Sequence, residues 1–140
     1  MREGGSCRGA RVLVAEDTPL GRKLIRVRLD VLGCRADFVE NGKQAVEKVR
    51  ENDYDVVLMD LMMPVTDGLA ATRAIRESGK EDLPIIALTA AVTAEDREKA
   101  RAAGLDDFLG KPIDPDQLEQ KLMQWTSGQL SPALTTEEEG

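Results

Sequence analysis

The chain has 140 residues, 41% of them hydrophobic, which suits one globular domain and argues against disorder. Aromatic residues are only 3%, so the core has to be aliphatic, and a net charge of −7 argues against a general nucleic-acid binder, which needs a basic footprint. Histidine is absent, which removes histidine-based catalysis and the commonest zinc ligand, so any metal has to sit on oxygen. The opening Met1-Arg2-Glu3-Gly4-Gly5 does not read as a secretory leader, so none is expected, and no apolar run is long enough to span a bilayer. Cys7 and Cys34 lack metal spacing and read as thiols of a reducing compartment, so a cytoplasmic location without membrane contact is expected.

Residues 1–10 are small and polar and read as a linker; the domain is placed at 11–126 and a second flexible tail at 127–140. Arg11 to Ala15 forms a first short apolar strand. Thr18 offers an N-cap oxygen and Pro19 a first helical residue for a helix ending at about Leu32, before Gly33. Leu20, Leu24, Val27 and Val31 recur at helical spacing and are expected to face the sheet. Arg35 to Val39 is a second strand, and Asn41-Gly42 turns into a helix whose apolar face is Ala45, Val46 and Val49. Asp55 to Asp60 is a third strand, apolar between its two end residues, as a strand buried on both faces should be. A helix from Gly68 to Ser78, a strand from Pro84 to Thr89, and an alanine-rich helix capped by Thr93 and Asp96 come next. Asp107 to Gly110 is a fifth strand, and Asp114-Pro115 opens a last helix with Leu118, Leu122 and Trp125 on one stripe.

Alternating strands and helices imply a parallel sheet with helices on both faces and right-handed crossovers. In such sheets the reactive residues gather beyond the carboxyl ends of the strands. That rule brings together Glu16 and Asp17 after the first strand, Asp60 at the end of the third, Thr89 at the end of the fourth and Lys111 after the fifth. Three carboxylates in one cluster repel unless cations offset them. Oxygen donors without histidine or cysteine suit Mg²⁺, on Asp17 and Asp60 with Glu16 reaching it through water. Asp60 then reads as a carboxylate nucleophile, with Lys111 as a point charge and Thr89 as a hydroxyl for phosphate oxygens.

Glu16-Asp17, Met59-Asp60-Leu61-Met62-Met63-Pro64, Asp67-Gly68, Leu88-Thr89-Ala90 and Lys111-Pro112 resemble, in order and spacing, the receiver domain of two-component response regulators. The likeness runs from about Arg11 to Trp125 and is closest to receivers attached to hybrid histidine kinases. It implies a flavodoxin-like (βα)5 doubly wound sandwich with a five-stranded parallel sheet in the order 2-1-3-4-5. The implied function is that of a signalling domain which catalyses its own phosphorylation and dephosphorylation on Asp60. The phosphoryl group would come from a phosphohistidine on a histidine kinase or histidine phosphotransfer domain. The carbonyl of Met62 would complete the metal shell. Thr89 would turn toward the phosphate and Phe108 would move inward behind it, switching the surface of the last two helices and the strand between them. A monomer or weak dimer that binds no nucleic acid is expected.

Some residues depart from the family pattern. Hybrid-kinase receivers often carry asparagine where this chain has Thr18 and Gly21. Met62 and Ala91 cannot hold an attacking water by a side-chain hydrogen bond, so the fastest hydrolysis is not expected. Arg22, Lys23, Arg26 and Arg28 read as a solvated helix face or a docking face for an acidic partner. A haloacid-dehalogenase type phosphatase would need a second acid where Met62 stands. A P-loop would need a Ser or Thr where Pro112 stands. A receiver that signals without phosphate would not need the intact acids, Thr89 and Lys111.

Overall fold

The computed structural model describes residues 8–63, 67–90 and 93–130, with side chains to 126. The linker residues 1–7, Pro64, Ala91 and the tail from 131 lie outside the described residues. Five strands, β1 (Arg11–Ala15), β2 (Arg35–Val39), β3 (Val56–Asp60), β4 (Ile85–Thr89) and β5 (Asp107–Gly110), pair in parallel in the order β2-β1-β3-β4-β5. Five helices alternate with them: α1 (Pro19–Leu32), α2 (Gly42–Glu51), α3 (Gly68–Glu77), α4 (Ala94–Ala103) and α5 (Pro115–Leu130). This is the flavodoxin-like doubly wound order that the family resemblance implies. The last helix continues past the boundary expected at 126.

Strand side chains alternate between two cores, as the pleat requires. Leu13, Ala15, Val57, Met59, Ile85 and Ala87 pack with Ala45, Val49, Ala71, Ile75 and Ala100, which puts α2, α3 and α4 on one face. Val12, Val14, Val56, Leu58, Ile86 and Leu88 pack with Ile25, Leu29, Leu118 and Leu122 of α1 and α5 on the other. Every residue of β3 and β4 is buried. The Asp60↔Leu88 and Thr89↔Gly110 registers bring the ends of β3, β4 and β5 level, so the turns leaving these strands meet one another at a single edge.

One expectation is overturned. Leu20, Leu24, Val27 and Val31 are 66%, 58%, 53% and 62% exposed; Ile25 and Leu29 face the sheet instead. The reason is the seating of the first turn of α1. The Thr18 hydroxyl accepts from the amide of Gly21 at 3.1 Å, and the Arg22 guanidinium donates to the Glu16 carbonyl at 2.8 Å. Those bonds turn the Gly21, Ile25, Leu29 side of the helix inward. The stripe from Leu20 to Val31 lies across the helix from it and is left to solvent. Arg22 is therefore committed inward, and the Arg26 guanidinium lies over the Phe38 ring at 4.2 Å; Lys23 and Arg28 keep the exposed positions expected of that group.

Asp107 ties β5 to α5. One carboxylate oxygen accepts from the Phe108 amide and the Lys121 ammonium, each at 2.8 Å, and the other from the Trp125 indole at 2.8 Å. Burial works to raise its pKa, but the bonds from Lys121, Trp125 and Phe108 outweigh that and hold it below the ordinary value of 3.8. A depressed carboxyl contributes stability above its unfolded pKa and loses it as pH falls through the folded value. Asp107→Asn is expected to cost about 1–2 kcal/mol near pH 7. The difference from wild type should shrink in denaturant titrations carried down through the acid range. An undiminished gap at low pH would contradict the assignment.

Candidate functional site

Four elements deliver one cluster. β1 is followed at once by a fully buried carboxylate, Glu16, 1% exposed, and then by the half-buried Asp17. β3 ends in Asp60, 2% exposed, and β5 in the turn that carries Lys111. The Lys111 ammonium lies 3.0 Å from Asp60 Oδ2 and 3.0 Å from Glu16 Oε1, bridging the two acids. Its own backbone is fixed, since the Lys111 amide donates to the Thr89 carbonyl at 2.9 Å. The Lys111–Pro112 peptide is cis. Thr89 itself is buried at the end of β4.

Each carboxylate is held at both oxygens. Asp60 Oδ1 accepts from the Met62 amide at 3.0 Å. Glu16 Oε2 accepts from the Thr18 amide at 3.1 Å and from the Thr18 hydroxyl at 2.7 Å. Gly68 lets α3 close over the backbone of Asp60, because a Cβ there would run into the Asp60 carbonyl and the Leu61 Cα. The side chain of Met62 is 78% exposed, while its backbone stays in the turn beside Asp60.

The charges are unequal in their comfort. Burial raises the Asp60 carboxyl above its ordinary value and the Glu16 charge adds to that, against the pull of the Met62 amide and Lys111. Burial also works to raise Glu16, yet the bonds from Thr18 and Lys111 hold it below the ordinary value. Lys111 is raised: burial opposes its charge, and the bonds to Asp60 and Glu16 outweigh burial. Of the two buried acids, Asp60 is the one whose charge burial disfavours, so a further cation beside it would relieve it. Oxygens of Glu16, Asp17 and Asp60 all lie within 4.8 Å of one another, an all-oxygen set that fits a hard divalent ion. The chemistry open to this arrangement is attack by a buried carboxylate on an electrophile whose negative charge the lysine and a cation share.

A groove of about 460 Å³ opens beside the cluster, lined by Leu61, Met62, Leu69, Thr89, Lys99 and Phe108 among others. Phe108 is partly buried against the core, and the Arg97 guanidinium sits over its ring at 5.2 Å. All the residues that the sequence nominates (Glu16, Asp17, Asp60, Met62, Thr89 and Lys111) therefore lie at the one sheet edge. In the sequence Thr18 and Gly21 stand out only as a cap and an irregularity. Their part in holding Glu16 is a local side-chain contact at the start of α1, and the signal for it is a glycine placed inside a helix.

The model of the response regulator receiver domain matches residues 12–123. The sensor protein GacS of Pseudomonas syringae pv. syringae is 41% identical over 125 residues, covering 86% of this chain. This chain spans 14% of that relative's length. Among solved structures, the receiver domain of sensor histidine kinase PA1611 from Pseudomonas aeruginosa, with a magnesium ion coordinated in its active-site cleft, is 40% identical with a TM-score of 0.79. The match covers 84% of this chain and 98% of that one. The receiver domain of Saccharomyces cerevisiae Ssk1, solved with the histidine phosphotransfer protein Ypd1, gives a TM-score of 0.85 at 27% identity, covering 91% and 95%. No helix among the described residues is long and apolar enough to cross a membrane.

Proposed function

The chain belongs to the family of response regulator receiver domains, and from that premise we propose that Asp60 is its phosphoacceptor. The observation that carries this reading is the pair of buried carboxylates, Glu16 and Asp60, bridged by Lys111 at 3.0 Å on each side. A carboxylate oxygen of Asp60 attacks the phosphorus of a phosphohistidine, the O–P bond forms, the P–N bond breaks, and the imidazole leaves. Lys111, already within hydrogen-bonding reach of Asp60, neutralises charge on the transferred group, and the Thr89 hydroxyl serves another phosphate oxygen. Asp17 and Asp60, the Met62 carbonyl and, through water, Glu16 would hold Mg²⁺, which when bound offsets the negative charge of donor and acceptor. The exposed Met62 side chain has no group to orient an attacking water, so the acyl phosphate is not hydrolysed at the fastest rates.

Phosphate on Asp60 then biases the groove beside it. Thr89 turns toward the phosphate and Phe108 moves inward, which alters the face made by α4, β5 and α5. α4 is suited to shift because its buried apolar residues are only Ala100 and Ala103.

The exposed stripe on α1 supports a reading of how the donor docks. Leu20, Leu24, Val27 and Val31 are spaced by four, three and four residues, as a seam between two helices is. Beside it a groove of about 210 Å³ is lined by Leu24, Val27, Ile113, Pro115 and Leu118. Lys23 and Arg28 flank the stripe, so the donor presents a helical apolar surface with acidic margins. A labelled phosphohistidine protein is expected to pass its phosphoryl group to this chain with Mg²⁺ present. Leu24→Glu should slow that transfer by about tenfold or more and leave uptake from a small phosphodonor unchanged. Equal slowing with both donors would place Leu24 in the fold rather than in docking.

A further inference from the structure

Gly21 occupies the first turn of α1 without a left-handed backbone, so its conformation gives no reason for glycine, and alanine is the better helix former. The reason lies in space. A Cβ at Gly21 would stand 2.7 Å from the Glu16 carboxyl carbon, 2.8 Å from Glu16 Oε2 and 2.7 Å from the Thr18 hydroxyl oxygen. All three distances are shorter than such contacts tolerate, and the Glu16 side chain they press on is 1% exposed.

The same few atoms form one chain of bonds. The Thr18 hydroxyl accepts from the Gly21 amide and donates to Glu16 Oε2, while Glu16 Oε1 takes the Lys111 ammonium that also serves Asp60. A hydroxyl has one proton to give, so accepting from the helix and donating to the acid fixes its direction. Gly21 thus meets both the cap of α1 and the acid of the site. α1 is seated by Ile25 and Leu29, buried against the sheet at 2% and 1% exposure. The tips of Glu16 and Thr18 are therefore the parts that must give way to any added atom.

We propose that Gly21 is a positioning residue for the metal site. By leaving open the volume of a side chain, it lets the long Glu16 carboxylate sit where Thr18 and Lys111 hold it, beside Asp17 and Asp60. This rests on the reading of those three acids as the Mg²⁺ site. The glycine and the glutamate belong together: a shorter acid at position 16 would withdraw from two of the three close contacts and leave only the Thr18 hydroxyl to shift.

Two-dimensional amide NMR of the wild type, Gly21→Ala, Glu16→Asp and the double variant, each titrated with Mg²⁺, tests this. Gly21→Ala is expected to keep the fold and its thermal midpoint but to weaken Mg²⁺ binding by about tenfold or more. In the metal-free protein the Thr18 amide resonance should move, because its Glu16 partner has moved. The double variant should bind Mg²⁺ within about twofold of Glu16→Asp alone, since the two changes share one contact. Gly21→Ala that binds Mg²⁺ as the wild type does, or whose defect (unfolding included) Glu16→Asp fails to relieve, would overturn the proposal. A wild type that binds no Mg²⁺ would instead overturn the metal reading, and the Thr18 amide in the metal-free protein would still decide whether Gly21 positions Glu16.

Discussion

Lys111→Met is expected to lower the rate of phosphoryl uptake by about two orders of magnitude, with the sheet intact. The lysine is the one cation seen to touch Asp60 among the described residues, and it touches Glu16 at the same distance, 3.0 Å. Methionine keeps the length of the side chain and removes the charge. Burial and the Glu16 charge already push the Asp60 pKa up, and losing Lys111 removes one of the contacts that oppose that rise. The transferred group also loses a positive charge fixed in place by the Thr89 carbonyl before the reaction begins. Both effects act on the chemical step, so the loss should persist at saturating phosphodonor. Removing one partner of a buried ion pair costs about 3 kcal/mol or more; Lys111 is 28% exposed, and about 1–2 kcal/mol is the expected loss of stability. Uptake within threefold of wild type would show that Lys111 serves structure alone.

Asp60→Asn is expected to act in the opposite sense on stability while abolishing uptake. Its carboxyl is 2% exposed, beside a second buried acid, and its pKa is raised by burial first. The amide keeps the shape and can still accept from the Met62 amide, but it carries no charge to desolvate and none to repel Glu16. Lys111 keeps Glu16 as its partner. A gain of about 1 kcal/mol in denaturant titration near neutral pH is expected. A carboxylate that costs stability where it stands is held there for its chemistry, and a clear loss on replacement would instead make Asp60 a structural residue.

The strands were legible in the sequence because each is a short aliphatic run bounded by turn residues, and the caps at Thr18, Asn41, Asp67 and Thr93 are all made as those residue types suggest. The acids and the lysine were legible because strand ends of a parallel sheet converge by topology, whatever their side chains do. The face of α1 was not legible. That helix carries two apolar stripes with the same period, one through Leu20 and Leu24 and one through Ile25 and Leu29, and periodicity does not choose between them. The choice was made by the Thr18 cap on the Gly21 amide and by Arg22 reaching the Glu16 carbonyl, bonds that periodicity does not register. Asp107 was hidden for a related reason, since its partners Lys121 and Trp125 come from the helix after it. Phe108 shows the limit of composition: in an edge strand an aromatic borders a groove and need not be enclosed.

The central claim is that Asp60 accepts the phosphoryl group, and intact-protein mass spectrometry after incubation with a small phosphodonor and Mg²⁺ tests it most directly. The wild type should gain one phosphoryl group, and Asp60→Asn none under the same conditions. A wild type that gains nothing, or an Asp60→Asn variant that still gains one, would contradict it.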